Sequence, residues 1–555
     1  MQKLQDMQGG QFKELTILTT RAPRRMITCL IPALLIIASQ MVINPAMAVP
    51  VPAARIPDNC LSEEHCCMPI PYTGKPVRQF TYDSTLPVRV RRAIHSLDDA
   101  YIAKLERGYE LLRALPDSDP RSLSNQAKLH CLYCDNGIYY PDMSWPLEIH
   151  NGWLFLPWHR MFLYFHERIL GKLLGDDTFA IPYWNWDNQE TPYANTLPNI
   201  YAGNKSSSLW NQNRNACAQP PHVVNLNSVG GCTKKTSDEL RTENTRLMYS
   251  QIVAGSPTSR LFFGHPYSYG DIGGEGPGTF EDNPHGTVHL WVGDPNAATA
   301  YDDMGNFGRS ARDPIFYAHH ANVDRIWTMW KTIPGAQRRD PTHPDFRDAQ
   351  FTFYDENADL VIVNVSQIID TDQLRYSYAS SPAAWLTNGM KRGEENSVTL
   401  CNPTNPSQTR AMIFAARELT DTDVLGSTPL TFKVSRPEQS TRPTTPAEEV
   451  LEISGIKLDS TLQSHWEAYL FFPSADSTTA VSCPEFVGTF NFIPHVGQAQ
   501  LARDRLWRVA FTTKLVALGK ENSTEIVVTL VQFGPNIQNL KFSKASILWD
   551  TSPSD

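Results

Sequence analysis

The sequence predicts a mainly α-helical N-terminal part with long loops, then a linker and a small all-β C-terminal domain. Two patterns predict it. Apolar residues recur at three- and four-residue spacing in several segments between Leu86 and Lys331, and after Phe351 short β-rich runs alternate with turn residues. A third observation concerns the connections: the 41 prolines fall in stretches between apolar runs, which points to irregular loops rather than to repeats. At 555 residues the chain exceeds one ordinary domain.

Residues 1–48 read as a targeting segment. Arg21, Arg24 and Arg25 precede an apolar run from Met26 to about Val42, and Ala46-Met47-Ala48 supplies a small-x-small cleavage pattern, so cleavage is expected after Ala48. The expectation is a cleaved export signal and a secretory route, ending in the vacuole or outside the cell. A twin-arginine lumenal transfer signal at Arg24-Arg25 and an uncleaved anchor are the alternatives. Ser39, Gln40 and Asn44 weaken the run as a membrane span, and no other stretch could span, so no membrane is expected for the mature chain. Nine cysteines follow the signal, and Asn204, Asn364 and Asn522 open acceptor sequons, which also suit an oxidising secretory route.

Residues 49–380 form the helical part. Periodicity runs from Leu86 to Pro116, and further helices are predicted at Asn125–Cys134, Pro157–Leu174, Thr236–Val253, Phe280–Val292 and Asp313–Lys331. Leu360–Val365 reads as a strand. Residues 381–428, rich in Gly, Asn, Pro, Ser and Thr, read as a linker with one apolar break at Ala411–Ala416. In residues 429–555, strands are predicted at Leu430–Val434, Trp466–Phe472, Phe486–Phe492, Leu506–Val516 and Ile526–Gln532. The net charge of −9 and the lack of a Lys/Arg stripe exclude a nucleic-acid partner.

The chemistry sits in the helical part. His285 and His289 stand four apart, which projects both rings from one helix face. His319 and His320 follow in an apolar helix between Asp313 and Trp327, and His130, His150 and His159 make an upstream group. Imidazole suits copper, zinc, iron or nickel, and neither set brings a carboxylate or a thiolate cluster. A zinc hydrolase usually adds a carboxylate ligand or an acid/base glutamate. All-histidine sets favour a copper pair, because neutral nitrogen ligands hold both oxidation states without adding charge. His166 reads as a packed helix residue, and His65, His95, His222, His265, His343, His465 and His495 lack metal spacing.

Five segments carry a resemblance: His130 to Cys134, Leu156 to Phe162, Ile181 to Asp187, Asn283 to Trp291 and Asp313 to Trp327. The chain resembles the plant polyphenol oxidases of the type 3 copper family, which includes tyrosinases, catechol oxidases, aurone synthases and hemocyanins. The resemblance implies a four-helix-bundle dicopper catalytic domain, followed by a sandwich-like domain that shields it. It implies two copper ions per chain, one on His130, His150 and His159 and one on His285, His289 and His320. His319 is then no ligand but a neighbour that orients one. It also implies a thioether between Cys134 and His150, and disulfides Cys67–Cys131 and Cys60–Cys66. Cys217–Cys232 is a plausible local bridge, while the pairing of Cys401 and Cys483 stays open.

By the same resemblance, Phe307 is an aromatic gate over the second copper, and Glu281 holds a water near the site. Asp324 is expected to orient a ligand or to pair with an arginine. The implied reaction oxidises o-diphenols to o-quinones with O2. Hydroxylation of monophenols is the alternative, and there Gly286 departs from the asparagine often found in hydroxylating members. A hemocyanin-like oxygen carrier is the rival from another class. Leu290 and Arg260 are candidates to shape substrate choice. Glu485 to Phe490 and Pro494-His495 match the shielding domain, Pro344-Asp345-Phe346 departs from the middle-segment pattern, and an activating protease acting in the linker is implied. The thylakoid lumen is the compartment that the twin-arginine alternative would specify.

Overall fold

Six helices frame the N-terminal half: α1 Asp99–Ala114, α2 Leu123–Cys134, α3 Phe155–Leu174, α4 Ser237–Met248, α5 Gly286–Val292 and α6 Ile315–Trp330. This computed structural model describes residues 49–56, 66, 76–135, 137–138, 140, 147, 149–271, 276–334, 338–386, 401, 406–445, 447–459, 461–493, 504–534 and 536–551. All of these belong to one compact unit, Ala48–Asp555. The apolar run of the targeting segment, Cys60, Cys67, His65 and His495 lie outside them. Among the described residues no helix is long and apolar enough to cross a membrane.

Local chemistry sets the helix ends. The carboxylate of Asp98 accepts from Tyr101 N, so α1 starts there rather than at Leu86, and the preceding residues form a strand, Arg89–Arg91, and a short 3-10 turn. Ser122 caps α2 in the same way, through Asn125 N. Helix α3 ends at Gly175, whose φ of 66° is left-handed and costs glycine nothing. Thr236 and Glu239 form a capping box ahead of α4, which passes into a π turn, Tyr249–Ala254. The predicted helix Phe280–Val292 is broken: Glu281–His285 is a π-type turn in which Asn283 is extended, and α5 begins only at Gly286.

Helix α3 is buried on every side for most of its length, as a central bundle helix must be. Its charges are paired. Glu167 accepts from Arg89 and Arg91, and Arg160 donates to Asp324 on α6, which also accepts from Arg91, Tyr376 and Tyr378. Although burial pushes it up, Asp324 is held below its ordinary pKa by Arg160 and Arg91. Strand β1, Arg78–Gln79, pairs with β3, Leu360–Asn364, which pairs with β2, Gln350–Tyr354.

The linker's apolar break is a helix, α7, Pro406–Ala415. Beyond it two sheets face each other. One has the order β7 (Phe486–Phe492), β6 (Ser464–Leu470), β9 (Glu525–Gln532), β4 (Leu430–Ser435), and the other the order β8 (Arg505–Ala510), β5 (Glu448–Ile456), β10 (Lys544–Asp550). Phe432, Leu451, Trp466, Phe490, Trp507, Val528 and Ile547 share one core between them, as a sandwich requires. The strand predicted at Leu506–Val516 ends early, since Thr512–Ala517 is a helix, and β5 and β10 are strands beyond the five that the sequence predicts in this domain.

Candidate metal centre

Helix α2 presents His130, the loop ahead of α3 presents His150, and α3 presents His159; α5 and the turn before it present His289 and His285, and α6 presents His319 and His320. The structure gathers these into two groups. Ligand-capable atoms of His130, Cys134, His150 and His159 all lie within 4.8 Å of one another, as do those of His285, His289, His319 and His320. The groups face each other: His159 and His320 stack at 4.3 Å and 9°, and His150 lies 6.4 Å from His285 at 19°. All seven rings are 2% exposed or less.

Backbone carbonyls orient His159, His285 and His289. Nδ1 of His159 donates to Phe155 O at 2.9 Å, Nδ1 of His285 to Glu281 O at 2.9 Å, and Nδ1 of His289 to Met304 O at 2.6 Å. With Nδ1 protonated, each neutral ring keeps its lone pair on Nε2. Burial holds His130, His159, His285 and His320 neutral, well below their ordinary pKa, and lowers His289 to about 3.

The Nε2 atoms then converge. His159 and His130 bring theirs within 3.3 Å, and His289 brings its own within 3.1 Å of both His285 and His320. Neutral lone pairs aimed at one another repel, and a cation between them removes the repulsion. An all-nitrogen, uncharged donor set suits copper. The residues fit the metal.

His319 differs from the rest. The indole N–H of Trp186 donates to its Nδ1 at 3.0 Å, and because an indole can only donate, Nδ1 is the acceptor and Nε2 carries the proton. A protonated Nε2 offers no lone pair. Thus the ring that stacks on His285 at 5.4 Å and 12° offers its neighbours no Nε2 lone pair. Trp186 had no assigned role in the sequence, although it lies in one of the five matching segments.

Glu281 joins the two groups: its carbonyl holds His285 and its carboxylate accepts from Asn151 N at 2.6 Å, in the turn that follows His150. Asn151 has a left-handed φ of 59°. Phe307, expected over the second group, lies 4.1 Å from His150 of the first and packs with Leu290, Tyr301 and Ile493. The loop carrying Phe307 brings it back over His150, so the sequence spacing from His320 misplaced it. Asp324 pairs with arginines and makes no described contact with a ligand ring. Arg260 senses Arg508, Asp550 and Glu452 of the C-terminal sheets.

The C-terminal sandwich reaches this site. Asn491 N of β7 donates to Asp282 Oδ1 at 2.7 Å, and a Cβ on Gly286 would stand 2.9 Å from Asn491 Nδ2 and 3.5 Å from Ile493 Cδ1. Burial pushes the Asp282 carboxyl well above its ordinary range. No sequence signal pointed to Asn491 or Ile493.

Cys134 is buried inside the first group. The bridge pattern corrects one expectation: Cys131 is joined to Cys66, with Cα atoms 5.4 Å apart, and not to Cys67. With Cys66 engaged there, Cys60–Cys66 is also excluded; Cys60 and Cys67 themselves are not among the described residues. Cys217 is joined to Cys232, and Cys401 to Cys483.

Residues 120–333 match the common central domain of tyrosinase, 340–391 the polyphenol oxidase middle domain, and 423–548 the chloroplastic polyphenol oxidase C-terminal domain. The chain is 40% identical over 494 residues to a chloroplastic polyphenol oxidase of Vitis vinifera, covering 86% of this chain and 78% of that one. It is 40% identical over 484 residues to the latent form of a chloroplastic polyphenol oxidase of Prunus armeniaca, covering 85% and 76%. The structure of a latent apple tyrosinase superposes with a TM-score of 0.76 at 36% identity, covering 85% of this chain and all of that one.

Fold and site together define a tyrosinase-type oxidoreductase with two copper ions as its cofactor. More narrowly, the chain belongs to the plant polyphenol oxidase family.

These relatives correct the expected route. Both are named chloroplastic, which overturns a secretory path to the vacuole or the cell exterior. The arginine pair before the apolar run has the same charge and hydropathy pattern as an ordinary export signal, so the pattern alone does not separate the two routes. The three sequons consequently carry no argument.

Proposed function

We propose that this chain is a latent plastid catechol oxidase in which His130, His150 and His159 hold one copper and His285, His289 and His320 the other. The convergence of Nε2 lone pairs, with His319 excluded by the Trp186 indole, carries this reading. A bound copper pair supplies the exchange of electrons between o-diphenols and O2, leaving o-quinones and water. The chain does the rest. Phe155 O, Glu281 O and Met304 O fix ring orientation, Glu281 secures the turn after His150, and Cys134 is placed to form a thioether with His150. Phe307 and Leu290 give an apolar wall suited to a phenol ring.

Diphenol oxidation is favoured over monophenol hydroxylation. Gly286 offers no side-chain amide, and one Glu281 oxygen is taken by Asn151 N, so a base for the incoming phenol is weakly provided. Residues 49–380 would be the catalytic domain, 381–428 the linker and 429–555 the shield, with Ile493 against Phe307 closing the site until a protease cuts the linker. Arg24-Arg25 would direct transfer into the thylakoid lumen.

Oxygen uptake by copper-loaded protein cleaved ahead of Cys401 tests this reading. Fast consumption with catechol and little with a monophenol is expected. Equal rates would make it a tyrosinase, and stoichiometric O2 binding without consumption would make it a carrier.

A further inference from the structure

We propose that the Cys401–Cys483 disulfide is a second lock on the shield: a cut in helix α7 leaves a two-chain molecule that stays latent until a dithiol reductant opens the bridge. This inference rests on the latency reading above. It comes from the order of three features along the chain.

The first feature is an anchor. Trp385 is fully buried, and its indole N–H donates to Asp187 Oδ2 at 2.9 Å, which fastens the chain to the helical region. Next comes Cys401, joined to Cys483, which is 4% exposed and sits just ahead of β7 in the sandwich. Only then comes α7.

Among the described residues of the linker, helix α7 is open to a protease. Phe414 is 94% exposed, Met412 and Arg410 are also exposed, and Thr409 is the one buried side chain among those described in the helix, touching Ser474 Oγ at 3.3 Å. A helix shorter than about 12 residues is marginal without packing, so this one opens readily for cleavage.

A cut before Cys401 severs every covalent link between shield and catalytic part. A cut in α7 does not, because the catalytic fragment then still ends beyond Cys401 and is held to Cys483. A short tether keeps the shield at an effective concentration of roughly millimolar, high enough to hold it on the site. Release then needs two electrons and two protons from a dithiol: the Cys401–Cys483 bond breaks, two thiols form, and the donor becomes a disulfide. Cys401 is the less buried residue of the pair, so attack is expected at its sulfur.

The test uses copper-loaded full chain carrying Lys391→Gln and Arg392→Gln, so that limited trypsin meets Arg410 and Arg417 rather than the earlier basic pair. After cutting, denaturing electrophoresis should show one band without reductant and two with it. Catechol oxidation, measured after desalting, should change less than about twofold on cutting and rise about tenfold or more after the dithiol. The same protein with Cys401→Ser should be activated by trypsin alone. Fragments that separate without reductant overturn the proposal, as does a dithiol effect that persists in Cys401→Ser. A shield that stays bound after cutting and reduction, seen by gel filtration, also overturns it. Band pattern and gel filtration need no oxidase activity, so an enzyme without catechol oxidation would sink the functional reading and leave this one standing.

Discussion

His319 and His320 are adjacent, buried and equally close to the second group, yet one indole separates their roles. Trp186 takes the Nδ1 lone pair of His319 and so forces the proton to Nε2, whereas the Nε2 of His320 faces that of His289 at 3.1 Å. Replacing each ring should therefore give different copper counts. His320→Gln removes a lone pair and is expected to leave about one tightly bound copper per chain, because three nitrogen ligands define each site. His319→Gln removes none; it should keep two coppers and cost about 1–3 kcal/mol of stability by leaving the Trp186 donor poorly paired. Metal analysis after dialysis against a weak chelator, together with thermal melting, checks both. Loss of copper from His319→Gln would return that ring to the ligand set.

At the scale of elements, the decisive contact is strand β7 on the start of helix α5. Gly286 has no side chain where Asn491 and Ile493 approach, so that position serves the shield as well as the substrate pocket. Gly286→Leu, which offers Asn491 no acceptor and also meets Ile493, would overpack this contact by about 1–3 kcal/mol, and each 1.4 kcal/mol corresponds to about tenfold in the open population. The ratio of oxidase activity after cleavage ahead of Cys401 to activity before it should fall accordingly, and an unchanged ratio would mean that β7 does not close the site. Such contacts explain what was legible in the sequence and what was not. Helices α3 and α6 were readable because their long apolar runs are local, with Gly175 marking the end of α3, and six histidines stood out through spacing and family segments. The break at Asn283 was hidden because the pattern from Phe280 to Val292 is helical by composition. The place of Phe307 against His150, the role of Trp186 and the reach of Asn491 depend on loops folding back from distant positions, which no local pattern encodes. Partner choice between Cys66 and Cys67 is likewise settled by where the chain passes Cys131, not by spacing.

For the whole molecule, the shield and the helical region meet at a buried carboxyl. Glu467 on β6 accepts from Asn227 Nδ2 at 2.5 Å across the junction and from the hydroxyl of Tyr469, and it is 2% exposed. Burial dominates, so its pKa rises from 4.5 to about 7, although Tyr469, Asn227 and Lys235 pull it down; Glu243 pushes in the same direction as burial. The sign follows from linkage. Below about pH 4.5 the carboxyl is protonated whether the junction is formed or not, and stability is complete. As pH rises toward about 7 the unfolded or opened chain loses its proton first, so the closed fold is progressively disfavoured, by about 3 kcal/mol in all. Measured relative to Glu467→Gln, in which the buried histidines contribute equally, the thermal midpoint of uncut protein should therefore fall between about pH 4.5 and about pH 7 and then level off, and the uncut enzyme should become less latent than the variant over the same range. Glu467→Gln keeps an acceptor for Asn227 and abolishes the titration. The difference between the parent and variant melting profiles should change by the same amount over that range, measured on copper-loaded protein so that the metal ligands are held alike in both. A parent and variant with parallel profiles would show that Glu467 is ionised in the closed molecule and that the junction takes its pH response from elsewhere.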